Sequence, residues 1–385
     1  MKNFEFHNPT KIVFGADTVA KLSKLVPETA RVLILYGGAS AEKTGTLAEV
    51  RTALGGRHVQ EFSGIEPNPS YETLMRAVEQ VRKEKLDFLL AVGGGSVIDG
   101  TKFVAAAALY DGEPWEIAER GGSNIKQALP FGSVLTLPAT GSEMNAGSVV
   151  TKKATQAKLA FHSALVYPKF SILDPRKTFT LPVSQVANGL VDAFVHTTEQ
   201  YLTYPVDARV QDRFAEGLLQ TLVEIAPQAI ASPDDYATRA NLMWTATLAL
   251  NGLIGAGVPQ DWATHMIGHE LTALYDIDHA RTLALVLPAL LDVQREPKRT
   301  KLLQFGERVW NISSGSDDER IDATIARTRA FFEGLGIPTR LSAYALGQEA
   351  VEAMLKQLEA HGMTALGEHR DIDLARSRRI LEAAL

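Results

Sequence analysis

The chain contains no cysteine. That excludes a disulfide framework and any thiolate metal site, and it fits a reducing compartment. No run of Lys and Arg stands out, and the formal net charge is only -6. An electrostatic footprint for nucleic acid is therefore missing. No apolar run is long enough to span a membrane. The opening residues, MKNFEFHNPTKIVFG, lack the basic-then-apolar order of a secretory signal. Internal repeats and low-complexity segments are absent too. These gaps lead us to expect a soluble cytoplasmic protein with neither a nucleic-acid nor a membrane partner.

What remains is a chain of 385 residues with ordinary apolar content. That length predicts two domains and a large core needing no staples. The first half is punctuated by short β-rich runs. FEF and KIVFG near the start read as a hairpin or edge pair. VLILYGG, FLLAVGGGS, SVLTLPAT and the extended stretch AFHSALVYPKFSILDP follow. Helical stretches lie between them, among them LAEVRTALG and YETLMRAVEQVRKEK. Strands alternating with helices predict a mostly parallel sheet with crossover helices. From about Thr180 the texture changes to Ala/Leu-rich helical segments that continue to Leu385. We therefore expect an α/β nucleotide-binding domain over 1–179 and an all-helical domain over 180–385. Ligand sites favour domain interfaces, so the cleft between two domains is the default active site.

Two glycine loops follow strands. AVGGGSVIDGTKF runs from a strand into Gly93-Gly94-Gly95-Ser96 and then a helix. Glycines admit a ligand close to the backbone, and a helix N-terminus offers N–H groups to phosphate. A tight strand-to-helix turn is the plainer reading. The Rossmann spacing fails, because Ile98 stands where its third glycine belongs, and no Gly-Lys-Ser/Thr follows for a P-loop. The second loop is Tyr36-Gly37-Gly38-Ala39-Ser40, with Glu42 and Lys43 just beyond. In a dinucleotide fold an acid here would meet a ribose 2′-hydroxyl and repel a 2′-phosphate. Gly, Gly, Ala and Ser lean toward NADP(H).

The middle third gathers oxygen and nitrogen donors. Asp192 and His196 stand four apart in NGLVDAFVHTTEQ. His265, His269 and His279 follow in DWATHMIGHELTALYDIDHA. Residues four apart share a helix face, so each pair can address one ion. The set suits zinc, or iron(II) with nitrogen and oxygen ligands. Met266 occupies the general-base position of a zincin motif, which counts against a metalloprotease. The plainer reading is a satisfied core histidine or a capped polar pair. His7, His58, His361 and His369 read as ordinary surface residues, while His162 is left undecided.

Together these segments resemble the iron-containing (group III) alcohol dehydrogenases, near the bacterial NADPH-dependent aldehyde reductases and butanol dehydrogenases. EPNPSYETLM, AVGGGSVIDGTKF, LTLPATGSEMNAG, LPVSQVANGLVDAFVHTTEQY, GVPQDWATHMIGHELTALYDIDHARTLALVLPA and GSDDERID carry the resemblance, which runs essentially end to end. It implies a dehydroquinate synthase-like fold. It implies Asp192, His196, His265 and His279 as ligands of one Fe2+ or Zn2+ ion. His269 matches a further histidine lining the site, near substrate and nicotinamide, and is the catalytic candidate for a proton relay. Gly94, Gly95 and Ser96 match the pyrophosphate loop, with Asp99 beside it. Thr136, Leu137 and Thr140 match the nucleotide-facing strand and loop, and Lys158 a lysine reaching ribose or phosphates. Gly37, Gly38 and Ser40 match the 2′-phosphate pocket, where Ala39 replaces a glycine of close relatives.

The activity so implied is NADPH-dependent reduction of short-to-medium aldehydes, reversible as primary-alcohol oxidation, by a homodimer paired through residues 2–12. The alternatives share the fold: a dehydroquinate synthase-like or glycerol dehydrogenase-like enzyme. The former needs a basic pocket, and no Arg/Lys cluster lies near the metal helices. A hydrolase without nicotinamide, or a non-catalytic nucleotide-binding scaffold, fits less of the motif set.

Overall fold

The computed structural model describes all 385 residues. Eight strands form: β1 (Lys11–Phe14), β2 (Arg31–Tyr36), β3 (His58–Phe62), β4 (Phe88–Gly94), β5 (Phe131–Leu137), β6 (Gly147–Lys152), β7 (Ala157–His162) and β8 (Phe170–Leu173). Six make one sheet in the order β1-β8-β5-β4-β2-β3, and every pair in it is parallel. β6 and β7 make a separate antiparallel pair. The central strand β4 is buried along nearly its whole length. That is what a continuous apolar run predicts for a parallel strand covered on both faces.

The helices α1 (Thr46–Leu54), α2 (Tyr71–Glu84) and α3 (Gly95–Ala107) provide crossovers. Ser70 caps α2 by accepting from the Thr73 N–H. From β2 the chain steps to β3 on one side, then returns to β4 on the other. The strand order therefore reverses between β2 and β4. In open α/β sheets ligands bind beyond the carboxyl ends of strands at such a switch point. The segments that leave those two ends are Gly37–Ser40 and Gly94–Ser96.

The expected hairpin or edge pair of FEF with KIVFG does not form, although β1 is an edge strand. β1 pairs in parallel with β8 instead. The preceding FEF segment is not a strand: the Lys2 N–H donates to the Gly257 carbonyl at 2.9 Å, and the Lys2 ammonium donates to the Tyr204 hydroxyl. A parallel partner more than 150 residues away outcompetes the local turn, because Asn8-Pro9 offers no two-residue hairpin chemistry.

The second half is helical: α4 (Val183–Tyr201), α5 (Arg209–Ala231), α6 (Tyr236–Ala249), α7 (Ala263–Tyr275), α8 (His279–Val293), α9 (Arg299–Trp310), α10 (Asp317–Gly334), α11 (Gln348–Ala360) and α12 (Leu374–Ala383). From Val186 to Tyr201, α4 is buried on all sides, as befits a helix at the centre of a helical core. Asp276 takes a left-handed conformation (φ 54°) that stops α7, and His279 then opens α8.

Compact grouping gives two units. One holds His7–Pro182 with Ser232–Thr247, and the other holds Met1–Phe6, Val183–Ala231 and Leu248–Leu385. This differs from a single cut near residue 180 in two places. Residues 232–247 group with the sheet because Met243 is buried in its core cluster and the Thr247 hydroxyl donates to Glu143. No helix is long and apolar enough to cross a membrane.

Candidate metal centre and nucleotide loops

Helix α4 brings Asp192 and His196 to one face, α7 supplies His265 and His269, and the first turn of α8 supplies His279. Asp192, His265 and His279 each present one ligand atom, and these atoms lie within 4.8 Å of one another. Asp192 Oδ1 is 3.7 Å from His279 Nε2 and 3.6 Å from His196 Nδ1. Both distances exceed a normal hydrogen bond. They match two ligands sharing one ion, since bonds of about 2.1 Å in a tetrahedron put ligand atoms roughly 3.4 Å apart. The donor set therefore fits a divalent ion with nitrogen and oxygen preference.

Asp192, His196 and His265 are buried, while the His279 side chain keeps 22% exposure. One flank of the cluster is thus reachable. His196 stands beside the tight trio, its ring stacked on His265 at 4.5 Å. Burial pushes the His196 imidazole down to about 4, more than Asp192 holds it up, and the neighbouring His265 adds to the fall. A neutral imidazole is the form that binds metal. His269 is buried as well, its ring 5.1 Å from that of His279 and 6.2 Å from that of His265. It lies next to the trio without belonging to it.

In the sheet unit, α3 opens at Gly95 immediately after β4. A Cβ on Gly95 would stand 2.4 Å from Thr140 Oγ1, and one on Gly93 would stand 2.6 Å from Val97 Cγ2. A Cβ on Gly94 would press on Leu137 at 3.0 Å. Close packing alone therefore demands glycine at Gly93 and Gly95, and it places Thr140 and Leu137 against the loop. Thr136 precedes Leu137, the last residue of β5. The Gly37 position faces Val97 Cγ2 at 3.7 Å, so the two glycine loops are neighbours. Gly38 and Ser40 are exposed. Glu42 is engaged by Arg51 at 3.0 Å. Lys158, on β7, donates to the Asn68 side chain at 2.9 Å, and the Asn68 N–H reaches the Ser96 hydroxyl at 3.3 Å.

Residues 9–175 match the family of iron-containing alcohol dehydrogenases, and residues 186–384 match the C-terminal part of the Fe-containing alcohol dehydrogenase family. The chain belongs to this family. It is 64% identical over 386 residues to the NADPH-dependent aldehyde reductase YqhD of Escherichia coli K12, with both chains covered completely. It is 41% identical to the probable NADH-dependent butanol dehydrogenase 1 of Bacillus subtilis, again over the full length of both. The crystal structure of E. coli K-12 YqhD superposes with a TM-score of 0.99 at 63% identity, covering 100% of this chain and 99% of that one.

Glu199, three residues beyond His196 on α4, is buried and bonds His265 Nδ1. The sequence reading missed it, although spacing of three on a helix puts it on the His196 face. Trp262 was missed as well. It takes a left-handed conformation (φ 63°), rare for a bulky residue, with its ring edge-on to His265 at 5.3 Å. The Asp99 carboxyl is enclosed: it accepts from the Ser142 hydroxyl and from the Val149 N–H at 2.9 Å. Burial raises it, against the opposing pull of Lys102. Burial also brings the Lys102 ammonium down to about 8. Asp99 thus ties the first turns of α3 to Ser142 and to β6. His361 is not an ordinary surface residue, because its Nδ1 pairs with the buried Glu270 at 2.7 Å.

Proposed function

We propose that this protein is a metal-dependent, NADPH-dependent aldehyde reductase for short-to-medium aldehydes, working in reverse as a primary-alcohol dehydrogenase. The observation that carries this is the Asp192–His265–His279 trio, its ligand atoms within 4.8 Å of one another and Asp192 Oδ1 3.7 Å from His279 Nε2. The name of the 64% identical relative supports the aldehyde and the cofactor. Relatives' names divide between NADPH and NADH, so the cofactor choice rests on the loop after β2. No acidic group is available there to repel a 2′-phosphate, since Glu42 is turned to Arg51.

Asp192, His196, His265 and His279 would hold the ion. A divalent ion supplies Lewis-acid polarisation of the carbonyl and steadies charge developing on its oxygen. A nicotinamide supplies the hydride. The chain's own residues do the rest. Gly94, Gly95 and Ser96, at the start of α3, bind phosphate through backbone N–H groups, with Lys158 as a cation nearby. His269 delivers the proton that turns the product oxygen into a hydroxyl. A homodimer belongs to the same proposal on the resemblance, and a cytoplasmic setting on the absence of cysteine and of a long apolar run.

The test is butanal-dependent oxidation of NADPH against NADH, before and after metal stripping, with Fe2+ or Zn2+ added back. NADPH should be preferred, activity should vanish with the metal, and it should return on addition. Equal rates with NADH would refute the reading of the Gly37–Ser40 loop. Full turnover without metal would remove the mechanism.

A further inference from the structure

Glu199 has a side chain only 1% exposed, deep in the helical unit. An unpartnered carboxylate there would be costly, and both its oxygens have work. Oε1 accepts the Thr264 N–H at 2.6 Å, and Oε2 bonds His265 Nδ1. These donors sit at the start of α7, some 65 residues away in the chain. With Nδ1 turned to a carboxylate, the imidazole carries its proton there. The ring atom that His265 then offers beside Asp192 and His279 is Nε2.

The support continues outward. The Asp261 N–H donates to the Glu199 carbonyl at 3.0 Å, and Asp261 Oδ1 accepts the Ala263 N–H at 3.0 Å. Asp261 Oδ2 is 2.8 Å from the Lys298 ammonium, which is 2% exposed and also held by Glu368. A buried cation thus fixes Asp261, Asp261 fixes the start of α7, and Glu199 fixes the rotation of the His265 ring.

We propose that Glu199 is a positioning residue that sets metal affinity by holding His265 in the tautomer and orientation a ligand needs, backed by the Asp261–Lys298 pair. This rests on the metal-centre reading above. Carboxylates behind ligating histidines raise ligand basicity, and their loss typically weakens binding by about ten- to a hundredfold.

Glu199→Gln is the informative change because it keeps the volume. A carboxylate accepts from both donors, whereas an amide accepts from only one. The other contact then becomes donor against donor, or it moves the His265 proton to Nε2, where the ion belongs. Metal-free wild type, Glu199→Gln, Asp261→Asn and Asp192→Ala should be titrated with Zn2+ against a chromophoric chelator. The visible spectra of the Co2+ forms and far-UV circular dichroism complete the comparison. Wild type should bind one ion and Asp192→Ala should lose the site. Glu199→Gln should bind about ten- to a hundredfold more weakly, with an altered Co2+ spectrum, and Asp261→Asn should fall between. If Glu199→Gln fails to fold, Asp261→Asn decides, with weakening expected and wild-type affinity overturning the proposal. Zinc affinity in a folded Glu199→Gln within about twofold of wild type would likewise overturn it. If wild type itself binds no ion, the metal-centre reading fails first, and the two failures are distinct.

Discussion

His265 and His269 lie one helical turn apart on α7, yet their surroundings divide their tasks. His265 has Nδ1 tied to Glu199 and sits within the candidate ligand trio. His269 packs against the His279 ring outside that trio. Replacing His269 by Ala should leave metal content unchanged and lower kcat by about a hundredfold or more, the usual worth of a positioned proton donor. It should also remove one limb of the kcat–pH profile. A kcat within a factor of two or so of wild type would reduce His269 to packing. Sequence spacing supplied the five donors but could not sort them, because sorting needs the contact between α4 and α7. The glycines teach a related lesson. Gly93 and Gly95 read in the sequence as part of a candidate nucleotide loop, and the demand the structure places on them is steric, from Val97 and Thr140. Thr140 stands 45 residues beyond Gly95, and no local pattern announces that contact.

At the scale of elements, Glu216 knots three helices of the helical unit. From α5 it takes a hydrogen bond from the Tyr201 hydroxyl of α4 at 2.9 Å and one from Arg308 of α9 at 2.7 Å. Gln304 of α9 and Arg213 of α5 add two more. Burial pushes the Glu216 carboxyl up, but these donors together outweigh it and hold the group below its ordinary 4.5. A carboxylate depressed on folding contributes stability above its unfolded value and loses it as pH falls through the lower folded value. Glu216→Gln should therefore cost about 2 kcal/mol near neutral pH, as for lost bonds to a charged acceptor. The gap to wild type should close as pH drops below 4.5 toward the folded value. Thermal melts from pH 7 to 3 measure this, and a constant gap would contradict it. The strands and helices themselves were readable: apolar runs marked β2, β4 and β5, and spacing marked α4 and α7. FEF misled because its fate depends on the Gly257 loop, and Ser232–Thr247 because Met243 finds its core far along the chain.

At the scale of the whole molecule, the proposed ligands fall in different units. The donor atoms belong to Asp192, His265 and His279 in one, and the glycine loops to β2 and β4 in the other. A ligand stabilises the state it binds, by about 2.7 kcal/mol when present at a hundred times its dissociation constant. Local opening in a native protein is a regional property, so that stabilisation should appear first where the ligand is held. Hydrogen exchange separates the two. Stripping the metal should speed exchange over 183–201 and 263–293 while leaving 31–36 and 88–107 close to their former rates. Adding NADP+ to the metal-free protein should slow exchange at 37–40 and 94–107. The reverse outcome, metal protecting the glycine loops in place of α7 and α8 or NADP+ leaving those loops unprotected, would overturn the placement of both ligands. Such a result would also remove the reason for burying Asp192 and His265 in helices that otherwise read as apolar core.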